Sequence, residues 1–152
     1  SIGFDFCPNI TDYSYKMELK MFEEAIALFN SGDYYACHDT LEAIWNDAWQ
    51  SDRAFYQGIL QIAVGLYHLK GQNWHGATIL LGEGTSRLPI YLPDYQSIDV
   101  ERLLEDSLHI LHEVQSAGSE GIAEIWQSIE RGDLRIPKLY RVGIEQPMGD
   151  ES

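Results

Sequence analysis

Apolar residues recur at helical spacing through almost the whole chain. Met17, Met21, Phe22, Ala25, Leu28 and Phe29 repeat at three- and four-residue steps, which predicts an amphipathic helix ending near Ser31-Gly32. Asp33 is placed to cap a second helix running to about Trp49, and Ser51 or Asp52 to cap a third. In the third, Phe55, Ile59, Ile62, Ala63, Leu66 and Leu69 leave little polar circumference, the pattern of a helix central in a core. Gly71 stops it. Asn73 caps a fourth helix carrying Trp74, Ala77, Leu80 and Leu81, which Pro89 terminates.

Pro89 to Tyr95 reads as an extended aromatic connector, since two prolines forbid regular helix and the apolar residues need cover. Asp99 then caps a fifth helix with Leu103, Leu104, Leu108, Leu111 and Val114 as its buried stripe. Ser119 caps a sixth with Ile122, Ile125, Trp126 and Ile129. Beyond Gly132 the chain is irregular, with Ile136, Leu139 and Tyr140 available to dock. The fold expected is all-α, a compact bundle of about six helices built from antiparallel helical hairpins. It forms one domain over residues 16–140, preceded by a loop segment at 1–15 and followed by a frayed acidic tail at 141–152. A chain of 152 residues is long enough to bury such a core unaided.

Charge narrows the partners. The net charge is −14, from 24 acidic against 10 basic residues, and a surface of that sign repels a phosphate backbone and an anionic membrane. The densest basic run, Arg131, Arg135, Lys138 and Arg141, is surrounded by acids. No apolar stretch approaches the roughly 20 residues that span a bilayer, and Ser1 to Phe6 lacks the regions of a secretory signal. An intracellular, cytoplasmic protein is expected, with a plastid location open if a targeting segment was removed. Cys7 sits beside Pro8 in an expected loop, whereas Cys37 lies inside a helix pattern. A disulfide between them is open, but a reduced compartment suits the composition better. A homo-oligomer is equally open.

The chemistry-bearing residues gather on two consecutive helices. At 100° per residue, His38, Glu42, Trp45 and Trp49 share one stripe of the second helix, and Gln57, Gln61 and His68 share one stripe of the third. In an antiparallel hairpin the stripes face each other, and His38, Glu42, Gln61 and His68 can converge. A histidine and a glutamate four residues apart present two ligands to one point, so His38, Glu42 and His68 are candidate ligands for a divalent metal. The same set, with Trp45 and Gln57, can line a small-ligand pocket or hold a proton-transfer pair. The plain alternative is a buried polar network that fixes helix register. No complete catalytic motif accompanies these residues, so enzymatic activity stays undecided. Glu105, His109 and His112 form another stripe, read as a solvated edge. Gly76, Gly82 and Gly84 are costly inside a helix and make sense where a neighbour approaches the backbone closely.

Three runs of sequence together resemble the domain-of-unknown-function family 309. They are His38-Asp39-Thr40-Leu41-Glu42-Ala43-Ile44-Trp45, Phe55-Tyr56-Gln57-Gly58-Ile59-Leu60-Gln61-Ile62-Ala63, and Tyr67-His68-Leu69 with Asn73 and Gly76-Ala77. The resemblance runs from about Phe22 to Leu88 and implies a compact all-helical domain with no established activity. Asp39 stands where that family's pattern has glutamate, and Gln72 interrupts its Gly-Asn pair. His38, Glu42, Trp45, Gln57, Gly58, Gln61 and His68 match. The primary expectation is a binding domain taking a small ligand or a divalent ion at this pocket. The alternative is a helical interaction module, similar to tetratricopeptide hairpins in the run Phe29 to Ala36, with a purely structural polar seam. A hydrolase of unknown substrate is the third.

Overall fold

A computed structural model describes residues 8–143, with side chains from Ser14 onward. Six helices account for most of it: α1 Pro8–Ser31, α2 Tyr34–Asp47, α3 Gln50–Lys70, α4 Trp74–Arg87, α5 Val100–Ala117 and α6 Ile122–Arg131. The all-α bundle of packed hairpins expected from the periodicity is the observed architecture. α3 is the central rod, packed most extensively on α4 and then on α2. Phe55, Ile59, Ile62, Ala63, Leu66 and Leu69 are all fully enclosed.

The caps follow the chemistry of short polar side chains. Asp33, Asn73 and Asp99 accept from the backbone N–H of Ala36, Gly76 and Arg102, each three residues ahead. The third helix departs from expectation. Its N-cap is Trp49, which makes no side-chain cap bond, and Ser51 and Asp52 lie inside the first turn. Asp52 there still complements the positive end of the helix and accepts a hydrogen bond from the Tyr95 hydroxyl.

Other boundaries shift for identifiable reasons. α1 begins at Pro8, so residues 8–15, expected as loop, are helical; proline has no N–H to lose and fits a first helical position. On α5, Leu108 is 46% exposed, while Val100, Leu103, Leu104, Ser107, Ile110 and Val114 face inward. The buried stripe is rotated because Ser107 and Asp106 go in with the leucines. In the connector after α4 the tyrosines pack as expected, but Ile90 and Leu92 stay exposed and the segment is not extended throughout. A 3-10 turn at Pro89–Tyr91 is followed by a two-residue hairpin, β1 Asp94–Tyr95 and β2 Ile98–Asp99, antiparallel with Tyr95 opposite Ile98. Gln96 and Ser97 between the strands both take positive φ, as a tight two-residue hairpin turn requires. Tyr91 and Tyr95 lay their rings against Phe55 at 5.4 and 4.9 Å.

The segment after Gly132 docks. Asn30 of α1 grips it, accepting from the Leu139 N–H at 2.7 Å and donating to the Leu139 carbonyl at 3.0 Å. Arg141 bridges to Ile98, so the first residues of the expected tail belong to the fold. The remainder of that tail, and Cys7, lie outside the described residues. Cys37 is a free, buried thiol. No helix among the described residues is long and apolar enough to cross a membrane.

Candidate functional site

The site is built on α2. Tyr34, Cys37, Leu41 and Ile44 set the buried face of this helix. His38 and Glu42 each follow a buried residue by one position, so helical geometry puts them at the margin of that face. His38 is half-buried and Glu42 exposed. The Nδ1 atom of His38 lies 3.2 Å from Oδ1 of exposed Asp39. His38, Asp39 and Glu42 each offer one donor atom, all within 4.8 Å of one another. Asp39 was absent from the candidates read off the sequence. Its signal was there, since a short carboxylate next in the chain to a histidine can reach that neighbour's ring.

An aromatic ledge borders this cluster. Tyr35 meets the His38 ring edge-on at 6.4 Å and Tyr67 of α3 at 5.9 Å, and Tyr67 meets His68 at 5.9 Å. His68 bonds to the capping Asn73 (Nδ1 to Nδ2, 3.3 Å). Its ring occupies the space a Cβ on Gly76 would need, 2.7 Å away. His68 is not among the three clustered donors.

Gln61 is buried and turned toward α4. Its Nε2 donates to Glu83 Oε1 at 3.2 Å, and its Oε1 accepts from Arg87 Nε at 2.8 Å. This polar link ties α3 to α4, where Gly58 and Gly84 let the two backbones approach closely. Gln57, on the same stripe, is half-buried. Trp45 is half-buried, with Arg53 stacked 4.1 Å over its ring and its buried indole N–H unpartnered. Trp49 is 69% exposed. The structure therefore brings together His38, Asp39 and Glu42, with Tyr35 and Tyr67 alongside. It assigns Gln61 to Glu83 and Arg87, and His68 to Asn73. The α4 partners were illegible because a helix buried nearly all round gives no sequence clue to which neighbour a given amide meets.

An imidazole and two carboxylates are a suitable donor set for a first-row divalent ion. Neighbouring ligands at about 2.1 Å from a metal stand about 3.0 Å apart in octahedral and about 3.4 Å apart in tetrahedral geometry, so the widest separation among these three, up to 4.8 Å, has to close by about 1.5–2 Å on binding. Nearby Cys37 does not join them: burial pushes its thiol up to about 12, with Asp33 adding to the effect, and its Sγ contacts the Ala25 carbonyl at 3.4 Å.

Residues 22–80 match the family model described as "Domain of unknown function (DUF309)". The chain is also similar to the uncharacterized protein YpuF of Bacillus subtilis (strain 168), at 40% identity over 50 residues. That stretch is 32% of this chain and 29% of the relative, so the match spans under a third of that protein. No solved structure matches.

Proposed function

We propose that this domain binds a divalent metal ion through His38, Asp39 and Glu42. The observation that carries the reading is the gathering of three donor atoms within 4.8 Å on adjacent turns of one helix. Two anionic ligands and one neutral imidazole leave a complex near neutrality, with open positions for water or a substrate atom. If Asp39 instead accepts from the Nδ1–H of His38, it fixes the tautomer that presents Nε2 to the ion. The exposed Tyr35 and Tyr67 rings would form one wall beside such an ion.

Calorimetric titration of the apo-protein with MnCl2 tests this. The expected result is one ion per chain, with affinity reduced at least tenfold in Glu42→Gln and His38→Ala. Diffuse binding that vanishes at moderate salt, and is equal in both variants, would refute it. A second reading rests on the exposure of Tyr35 (62%) and Trp49 (69%): a helical interaction module whose partner docks on these aromatics. It predicts that Tyr35→Ala and Trp49→Ala abolish association with a partner peptide while Glu42→Gln changes nothing.

A further inference from the structure

The outward face of α3 is unlike that of an ordinary surface helix. From Ala54 to Tyr67 it carries no charged residue, and from Asp52 to Leu66 no residue is exposed. A helix apolar nearly all round is normally covered on every side. Here Arg53, Gln57, Leu60 and Val64 fall on one stripe, at steps of four, three and four, and all four are half-buried. This side of the helix has walls but no cover.

The walls are α2 and α4, which both pack on α3 and hardly touch each other. On α2, Tyr35 and Trp45 meet Tyr67 and Arg53 of α3, and His38 and Glu42 lie between them on the same margin. On α4, Gly76 abuts His68 while Glu83 and Arg87 hold Gln61, and half-buried Leu80 stands between. The result is a shallow trough whose floor, from Arg53 to Val64, is about 16 Å long, about three turns of helix.

Charge decides what would fill it. The exposed carboxylates on the rims are Asp39 and Glu42 of α2 and Glu83 of α4. The rim cations are engaged by the fold: Arg53 stacks 4.1 Å over the Trp45 ring, and Arg87 donates to Gln61 at 2.8 Å. A second copy of the chain, at net charge −14, would be repelled. The complement is apolar along one stripe and cationic on both flanks of it.

We propose that the trough between α2 and α4 receives an amphipathic helix of a partner protein. Its apolar residues, at steps of three and four, pack on Leu60, Val64 and Leu80, and its Lys or Arg residues face Glu42 and Glu83. This needs neither an ion nor the exposed Tyr35 and Trp49 rings, so it is tested apart from both readings above. The test is amide chemical-shift mapping of the intact protein in chelator. The probes are a leucine–lysine peptide of about four turns patterned as an amphipathic helix, its scrambled isomer, and a counterpart with glutamate for lysine. Saturable shifts confined to residues 35–45, 53–68 and 76–87, produced by the patterned lysine peptide alone, are expected. Val64→Lys sets a charge on the floor and should weaken binding at least tenfold, and Leu60→Gln, which adds no charge, should weaken it in the same direction. Equal shifts from the scrambled or glutamate peptide, shifts spread over other acidic faces, undiminished binding in both variants, or no saturable shift would overturn the proposal. Shifts at the same residues on concentrating the protein alone would make a second copy the occupant, and would overturn it too.

Discussion

Two glycines two residues apart on α4 should respond to alanine in opposite directions. A Cβ at Gly84 would lie 2.8 Å from the Gly58 carbonyl oxygen and 2.9 Å from the Ile62 backbone nitrogen, both on α3. These are main-chain atoms of a central helix and cannot rotate away. α3 and α4 must separate by about half an ångström along the most extensive helix contact in the fold, an overpacking cost of about 1–3 kcal/mol. The gain in helix propensity, about 1 kcal/mol, offsets only part of it. At Gly82 nothing lies within 4 Å, so alanine there keeps the propensity gain unopposed. For a domain of this size 1 kcal/mol moves the melting midpoint by about 2–4 °C. Gly84→Ala is expected to lose up to about 8 °C and Gly82→Ala to gain about 2–4 °C, followed by circular dichroism. A Gly84→Ala protein melting at or above the native one would refute the close-approach reasoning, as would a fall in both variants.

Three further outcomes follow. Arg87→Ala should cost about 1–3 kcal/mol in urea unfolding, because it strips the buried Gln61 amide of its 2.8 Å bond; an unchanged midpoint would contradict this. Burial, partly countered by Arg135 and Arg102, raises the Asp106 carboxyl above its unfolded value. Its contribution is therefore fully present below the unfolded value and lost as pH rises through the folded one. Stability of the native protein relative to Asp106→Asn should fall as pH rises through the carboxylate range and then level off; a rise would reverse the assignment. With its thiol raised to about 12 and wholly enclosed, Cys37 in a Cys7→Ser background should react with a thiol reagent only as fast as the protein opens. Complete modification within minutes under native conditions would show that the enclosure is wrong.

Much of the fold was legible because its punctuation is local. Asp33, Asn73 and Asp99 each precede an apolar run, and their side chains reach only three residues ahead, so a cap can be read without knowing the tertiary structure. The hairpin at 94–99 was not, since strands of two residues carry no period. Leu108 was misplaced for a different reason. Leucines at 103, 104, 108 and 111 outline a stripe, but packing on α4 selected the neighbouring arc that includes Ser107. The candidate site divides along the same line. His38 and Glu42 share a face by helical arithmetic alone, whereas the partner of Gln61 depends on which helix α3 shows to α4. Gly76 and Gly84 are where close approach requires glycine, and Gly82 shows that a glycine in the same helix need not be.

The decisive property of the α2 cluster is whether it holds an ion. Thermal melts with MnCl2 at about a hundredfold its dissociation constant should show a gain of about 2.7 kcal/mol. That corresponds to a midpoint raised by about 5–11 °C in the native protein, and by no more than about 3–6 °C in Glu42→Gln, whose affinity is at least tenfold lower. A midpoint unmoved by saturating Mn²⁺, or moved equally in the variant, would contradict the claim that His38, Asp39 and Glu42 form a metal site.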